Sequence, residues 1–234
     1  TAQTVISGMG ELHLEIIVDR LRREFNAQVN VGRPRVVYRE TIQKHVTAEG
    51  VFDKELGEKR HFGQVKLELS PGRRGEGNDI IMAVDGETIP SEFHESIEEG
   101  IREGMMSGQL GGYPVTDVVV KVTGGAYHEG ESSIQGYKIA ASTAFRDGFR
   151  AADPVFLEPV MTVEVITPGE FTGDVIGDIN SRRGEIQSVN PRGPVSEVKA
   201  NVPLKALFGY STDLRSATQG RAVFSMMFSK YDKV

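Results

Sequence analysis

The fold is decided by a stretch near the C-terminus, which reads MTVEVITPGEFTGDVIGDINSRRGEIQSVNPRGPVSEVKANV over residues 161–202. Alternating apolar residues there predict strands, and the stretches between them carry helical spacing. Together with the sequence that follows, the elements are a strand (161–167), a helix within 168–183, two strands (186–189 and 195–202), a helix within 203–214 and a strand (222–228). This βαββαβ order is typical of the ferredoxin-like module. Gly184 is expected to end the first helix, at the C′ position.

The middle of the chain has a second α/β pattern. Strands are predicted over 46–54, 65–69, 80–84 and 118–122. One helix is expected to begin at Ser91, since apolar residues recur every four positions at Phe93, Ile97, Ile101 and Met105. A longer helix is expected to start at Ser132-Ser133 and to run through Arg150. Asp153-Pro154 then reads as a hinge.

The first 40 residues predict a helix followed by two strands. The helix is indicated by an apolar stripe at Leu14, Ile17, Val18, Leu21 and Phe25. One strand is expected around Val29 and Val31, and a turn at 32–34 leads into a second over 36–42. This is half of an α/β sandwich, which buries too little surface to be stable alone. The chain is therefore predicted to be α+β, with several domains.

Composition excludes several classes of protein. The 234 residues are 38% hydrophobic and 26% charged, as in an ordinary globular protein. No apolar run reaches the ~18 residues of a membrane span, and no basic-apolar leader opens the sequence. Because cysteine is absent, disulfides, thiol catalysis and thiolate metal sites are excluded. A cytoplasmic location is expected.

Charge is unevenly distributed along the chain. Residues 41–156 contain 12 basic and 19 acidic residues, whereas 1–40 and 157–234 have net charges of +1 and 0. A protein that coats nucleic acid with its whole surface should be basic. Any RNA contact is therefore expected at local clusters.

A series of motifs resembles the elongation factor G family of ribosomal translocation GTPases, in family order and over nearly the whole chain. They are SGMGELHLEIIVDRL (7–21), YRETI (38–42), YKIAAS (137–142), LEPVM (157–161), GDINSRRG (177–184) and FGYSTDLRS (208–216). The resemblance implies three parts. Residues 1–40 would be the C-terminal half of domain III, 41–156 the elongated arm of domain IV, and 157–234 the ferredoxin-like domain V. The chain would begin within a domain and lack the GTPase.

The same resemblance implies a role on the ribosome. The arm tip would enter the decoding site and accompany tRNA and mRNA during translocation, while domain V would meet large-subunit rRNA. This chain would act as a monomer, without catalysis or a cofactor of its own, and GTP and Mg²⁺ would belong to the full-length parent. Two alternatives remain: a ribosome-recycling paralogue, and a GTPase-free module that binds rRNA. A phosphate loop encoded upstream of Thr1 would argue against the module.

The first candidate RNA contact is the segment GEKRHFGQ (57–64), expected as a loop between two strands. Lys59, Arg60 and His61 can contact phosphate, although a charge run is more often a solvated turn. The family has a tip loop here of the type Gly-Gly-Arg-Gly-Gln-Tyr-Gly-His. Glu58 and Arg60 stand where that loop has glycine, so this one is bulkier and less flexible.

The second candidate is the segment GGAYHEGESS (124–133), which leads from a strand into a helix. Tyr127 and His128 could stack on unpaired RNA bases, with Glu129 beside them, whereas a capping or loop histidine is the ordinary alternative. The family places a functional tip histidine here. The helix start also departs from the family, since Gly136 lies inside it at a cost of about 1 kcal/mol relative to alanine. These altered tips are the reason to consider a paralogue.

A third group of candidates consists of arginines in the last segment. They would face rRNA by the family resemblance, or simply complement a helix dipole in the case of the Arg182-Arg183 pair. The members are Arg182, Arg183, Arg192, Arg215 and Arg221. Catalytic sites are not indicated, because the sequence has no phosphate-loop motif, no metal-ligand spacing among its five histidines and no triad.

Overall fold

The computed structural model describes residues 4, 6, 11–32, 36–57 and 59–233. In chain order the helices are α1 Glu11–Phe25, α2 His94–Met105, α3 Ile134–Ala151, α4 Thr172–Ser181 and α5 Tyr210–Ala217. The strands are β1 Arg39–Ile42, β2 Val46–Leu56, β3 Lys59–Pro71, β4 Asp79–Met82, β5 Val118–Ala126, β6 Pro154–Pro168, β7 Glu185–Arg192, β8 Val195–Pro203 and β9 Val223–Lys233. The chain divides into a first unit (1–37 and 158–230) and a second unit (38–157 and 231–234).

The second unit is built on a four-stranded sheet in the order β2-β3-β5-β4. β3 pairs antiparallel with β2 and β5, and β4 pairs parallel with β5. Alternate residues of β3 and β5 face the same core, which explains the period-2 pattern in the sequence. The apolar stripe predicted for the helix that begins at Ser91 is buried as expected. The core includes Val65, Leu67, Leu69, Phe93, Ile97, Ile101, Met105, Val118, Val120, Val122, Phe145 and Phe149.

Helix α3 approaches strand β3 so closely that only glycine fits between them. A Cβ on Gly136 would lie under 3.0 Å from the carbonyl group of Phe62, and one on Gly63 would meet the backbone of Gly136 at a similarly short distance. Real Cβ atoms do not tolerate such contacts with backbone. Gly136 is thus required by packing, which offsets its low helix propensity.

A buried carboxylate fixes the loop between α2 and β5. Glu40 in β1 is fully buried, and its side chain accepts hydrogen bonds from the N–H groups of Leu110 (2.9 Å), Gly111 (2.8 Å) and Tyr113 (3.0 Å). Three donors of this kind compensate a buried charge for its lost hydration. Sequence reasoning placed Glu40 in a motif but assigned it no such role.

The turn between β2 and β3 is shorter than predicted. The two strands pair as far as Leu56 and Lys59, so the connection consists of Gly57, with φ 71°, and Glu58, which lies outside the described residues. The expectation of a loop over 57–64 is therefore wrong from Lys59 onward. Continuous pairing with β2 holds these residues in β3.

The first unit contains the predicted βαββαβ module. Its strands lie in the order β9-β6-β8-β7, which is the ferredoxin-like arrangement with the two edge strands last and second in sequence. Helices α4 and α5 contribute Val175, Ile179, Tyr210 and Leu214 to a core that also holds the alternating residues of β6 and β8. The predicted α+β fold class is confirmed.

The N-terminal segment departs from prediction. Helix α1 forms, but Phe25 of its stripe is 70% exposed. Residues 26–32 are irregular and β1 begins only at Arg39, so the strand expected at Val29 and Val31 is wrong and the next is shortened. A segment with alternating apolar residues forms a strand only where a neighbouring strand accepts its backbone hydrogen bonds. Here the Val29 carbonyl accepts a hydrogen bond from the Arg22 side chain (Nη2, 3.2 Å). The opening motif at 7–10 and the turn at 33–34 lie outside the described residues.

Helix α4 ends one residue earlier than predicted. Arg183, not Gly184, adopts the left-handed conformation, with φ 59°. The Arg183 N–H donates to the Asn180 carbonyl (3.1 Å), and the Gly184 N–H donates to the Ile179 carbonyl (2.9 Å). These two bonds form a Schellman motif. A Cβ on Gly184 would collide with Ile179. Glycine is thus needed for packing at 184, and arginine takes the strained position.

We expect Gly136→Ala to lower the free energy of unfolding by about 1–3 kcal/mol, because the added methyl group overpacks a backbone contact. The control is Gly177→Ala in α4, where a Cβ would meet nothing within 4 Å; it should raise stability by about 0.5–1 kcal/mol. Urea unfolding followed by circular dichroism measures both. Equal shifts in the same direction would contradict the packing role of Gly136.

Candidate nucleic-acid interface

Two segments far apart in sequence meet at one end of the four-stranded sheet. The Phe62 N–H donates to the Glu131 carbonyl (2.9 Å), and the Ser133 N–H donates to the Phe62 carbonyl (3.1 Å). These bonds join the β2–β3 hairpin to the loop between β5 and α3. We call residues 53–62 and 127–133 the tip. It contains both predicted clusters, those around Arg60 and around His128.

Arg60 is engaged by two carboxylates within the tip. Its Nε and Nη2 each donate to Asp53 at 2.7 Å, and its Nη1 donates to Glu131 Oε1 at 3.2 Å. Hydrogen bonding and charge from Asp53, then the charge of Glu131, raise the pKa of Arg60. The hydrogen bond from Arg60 lowers the pKa of Asp53. Arg60 therefore cross-links the tip, a role that sequence reasoning missed.

The His128 ring is held between an aromatic ring and a carboxylate. It stacks on Phe62 with centroids 4.0 Å apart and planes 12° from parallel, and its Nδ1 lies 3.5 Å from Glu131 Oε2. Its backbone N–H donates to Ser132 Oγ (2.9 Å). The side chain is 49% exposed. Glu131 thus touches both Arg60 and His128.

His61 points into the start of α3. Its Nδ1 lies 3.0 Å from Ser133 Oγ, and the same hydroxyl accepts the Gly136 N–H (3.0 Å), so that Ser133 caps the helix. The half-buried His61 is consequently tied to a helix start.

The remaining tip candidates are exposed. Tyr127 is 38% exposed and its ring lies 6.0 Å from that of Phe93. Lys59 and Glu129 are exposed, and neither makes an ion pair within the described part of the chain. Counting residues 53–62 and 127–133 with neutral histidines, three basic and five acidic side chains give the tip a net charge of −2.

Among the arginines of the first unit, Arg182 is internal. Its side chain is 15% exposed and bonds to Asp178 (2.8 Å), the Ala206 carbonyl (2.8 Å) and Asp213 (2.6 Å). Its guanidinium also lies 5.1 Å from the ring centroid of Tyr210. This network connects α4 with α5, so its contacts favour a structural role.

The other arginines predicted to face rRNA are more exposed to solvent than Arg182. Arg183 donates to the buried Glu158 (3.0 Å), and Arg192 pairs with Glu197 (2.7 Å). Arg221 pairs with Glu170 (2.7 Å) and lies over the Phe171 ring. Arg215 lies in the last turn of α5. These four arginines belong to the first unit, whereas the tip residues belong to the second.

Neither a metal-binding cluster nor a membrane-spanning helix occurs among the described residues. Within residues 11–32, 36–57 and 59–233, no group of three or more His, Asp or Glu side chains is placed to hold a metal ion. No helix in the described part of the chain is both long and apolar enough to cross a membrane.

We expect Arg60→Gln to raise the pKa of Asp53 toward its usual value, because the substitution removes the charged donor that stabilises the carboxylate. Carboxyl ¹³C titration by NMR measures this shift. Asp85 is the internal reference, since hydrogen bonds from Thr88 lower its pKa independently. An unchanged Asp53 titration would show that the ion pair does not persist in solution.

Burial raises the pKa of Tyr210 to about 12. The folded state therefore retains this proton to higher pH than the unfolded state, whose tyrosine pKa is about 10, and stability should fall as pH rises from 10 to 12. Tyr210→Phe should remove this part of the alkaline loss. At pH 7 it should be neutral or stabilising by up to about 1 kcal/mol, because Tyr210 Oη has no partner among the described residues. Urea midpoints between pH 7 and 11 test both points.

Three family models together match every residue of the chain except 154. The family model for Elongation factor G, domain IV, matches residues 34–153, that for Elongation factor G C-terminus matches 155–234, and that for Elongation Factor G, domain III, matches 1–33. The chain is 61% identical over 233 residues to Elongation factor G 2 of Syntrophus aciditrophicus (strain SB), and 52% identical over 234 residues to Elongation factor G of Aquifex pyrophilus.

Both alignments cover 100% of this chain and 34% of the relative, so the chain spans about a third of the length of the relatives it matches. A crystal structure of a protein from Thermus thermophilus superposes with a TM-score of 0.88 at 38% identity, over 96% of this chain and 34% of that one.

Proposed function

This chain belongs to the elongation factor G family of translation factors, and we propose that it forms the ribosome-binding C-terminal region of such a factor. Residues 1–40, 41–156 and 157–234 would be part of domain III, domain IV and domain V. The GTPase, with its GTP and Mg²⁺, would belong to the rest of a protein about three times as long. The ranges of the three matching family models support this division.

The proposed mechanism is steric and uses binding rather than chemistry. GTPase switching elsewhere in the parent would drive the arm into the decoding site. There the tip would accompany tRNA and mRNA and block their return, while domain V would contact large-subunit rRNA. The factor would act as a cytoplasmic monomer. The observation that carries this proposal is the assembly of two distant segments into one tip at a single end of the four-stranded sheet.

The contacts within the tip separate residues that would contact RNA from residues that would hold the tip in shape. Lys59, Tyr127, His128 and Glu129 are exposed and would meet RNA directly. Arg60 and His61 are engaged by neighbouring side chains and would shape the tip. In the last domain, Arg183, Arg192, Arg215 and Arg221 remain the candidates for rRNA contact, and Arg182 would act structurally.

Ribosome recycling is the second candidate function. The feature that favours it is the tip charge of −2, together with the pairing of Arg60 to two carboxylates. Such a tip attracts phosphate weakly. A recycling factor would use the same scaffold to split ribosomes with the recycling protein, and would not need to hold tRNA and mRNA.

Single-round translocation, followed by toeprinting with the full-length parent, tests the proposal. We expect the wild type to translocate and a Lys59→Ala, Arg60→Ala, His128→Ala variant to be slower by about tenfold or more, because tip contacts to RNA and the Arg60 cross-link are lost together.

The matched control is His45→Ala, Arg73→Ala, Arg146→Ala, which removes two cations and a histidine from exposed positions of the same domain outside the tip. It should translocate at nearly the wild-type rate. Equal defects in both variants would remove the tip from the mechanism. A wild type that splits ribosomes but does not translocate would establish the recycling alternative.

A further inference from the structure

Strand β4 leaves one edge of the four-stranded sheet open. It is the last strand in the order β2-β3-β5-β4 and pairs in parallel with β5. The Ala83 N–H donates to the Val122 carbonyl (2.9 Å). Because backbone groups alternate between the two sides of a strand, the N–H and C=O groups of Ile80 and Met82 face away from β5. Within the described part of the chain, these outward groups have no backbone partner.

The open edge lacks the features that usually keep a strand edge unpaired. Its sequence is DIIM (79–82), without lysine or proline, and its pairing with β5 contains no register shift. Ile81 is 38% exposed. Natural proteins protect strand edges with such residues or with bulges, because unpaired N–H and C=O groups can bind a further strand. The edge is therefore available to a short added strand.

A cavity of about 390 Å³ lies beside this edge. Its apolar wall is formed by Ile80 of β4, by Met105 and Met106 at the end of α2, and by residues 114–115. The volume is within the usual range of ligand pockets, and methionine side chains adapt to ligands of different shapes. Since Ile80 belongs both to the edge and to the cavity wall, the two form one surface. We call residues 78–82, 102, 105–106 and 114–115 the β4 groove.

The segment that runs from β4 through α2 is strongly acidic. Residues 79–103 contain eight acidic residues and a single arginine. That arginine, Arg102, pairs with Glu98 (3.3 Å). Asp79 is exposed and makes no ion pair within the described residues. A basic partner is therefore favoured at the β4 groove, and the phosphate backbone of a nucleic acid is repelled.

We propose that the β4 groove binds an extended, basic segment of a protein partner as an added strand. The partner's backbone bonds to the outward groups of Ile80 and Met82, an apolar side chain enters the cavity, and a lysine or arginine pairs with Asp79. Main-chain bonds to a sheet edge give affinity in this mode of recognition, and side-chain pockets give specificity. The interaction is separate from the tip and goes beyond the proposed function.

Fluorescence anisotropy with the full-length parent tests the proposal. The probe is the peptide Lys-Val-Lys-Val-Lys-Val-Lys, labelled with fluorescein at its N-terminus, which combines basic charge with strand propensity. We expect saturable binding. The counterpart with glutamate in place of every lysine should bind at least about tenfold more weakly, because the acidic segment repels it.

Two methylated probes test strand addition without altering the protein. One carries N-methyl groups on its valines and the other on its lysines, so that each lacks the N–H groups of one side of the strand. Only one side of an added strand can face β4. Methylation should therefore weaken binding by about tenfold in one of the two peptides and by less than about threefold in the other.

Variants of the parent locate the site. Asp79→Lys should weaken binding by about tenfold, because an attraction becomes a repulsion. Met106→Ala, at a side chain that is 70% exposed, should weaken it by about threefold through lost apolar contact. The matched control is Asp147→Lys, which makes the same charge change at an exposed position of α3 outside the groove. It should bind within about twofold of the wild type.

Four results would overturn the inference. They are binding that does not saturate by about 1 mM peptide, equal affinities of the two methylated peptides, equal losses in Asp79→Lys and Asp147→Lys, and a parent that sediments as a dimer which Asp79→Lys dissociates. The last would assign the edge to a second copy of the protein. Because none of these measurements involves the ribosome, their failure is distinguishable from a failure of the proposed function.

Discussion

The contact between Gly63 and Gly136 is the constraint on which the tip depends. Backbone meets backbone there, at a distance that no side chain on either residue allows. This approach brings the first turn of α3 against β3, so that Ser133 can cap the helix while its N–H bonds to Phe62. The His61, Glu131 and His128 contacts all follow from that placement. Glycine at position 136 lowers the helix propensity of α3 slightly, but it allows two segments about 70 residues apart to pack together.

Charge is used in this chain mainly to hold structure together. Glu40 is buried on three backbone N–H groups, Arg182 connects two helices, and Arg60 ties a hairpin to a loop. For Glu40 and Arg182, which are largely buried, these partners compensate the charge for lost water contacts. Basic residues in a sequence are therefore a weak guide to nucleic-acid contact, because the number that matters is the number left unpaired after folding.

The type and order of the elements could be predicted because the apolar residues of each core strand and helix recur with the spacing typical of that element. The alternating valines of β5 and the four-residue repeat of α2 are local signals, and both are buried as expected. The start of β3 at Lys59 could not be predicted, since it depends on register along the whole hairpin. Likewise, the sequence indicates that Arg60 and Glu131 are charged but not that they meet, and packing at Gly184, rather than helix-ending preference, moves the left-handed residue to Arg183.

Two features restrict the conformations of the tip: side chains where the family's loop has glycine, and the hydrogen bonds of Arg60. Side chains at positions 58 and 60 narrow the backbone conformations that glycine would allow, and the bonds from Arg60 to Asp53 and Glu131 restrict the hairpin further. A tip that is ordered before contact loses less conformational entropy on binding than a flexible one. A tip ordered by these bonds would need fewer cations to bind RNA, which makes its acidic charge compatible with the proposed function. The same restriction limits the surfaces that the tip fits, so that, under the proposed function, the shape of the binding surface rather than its charge would determine what the tip binds.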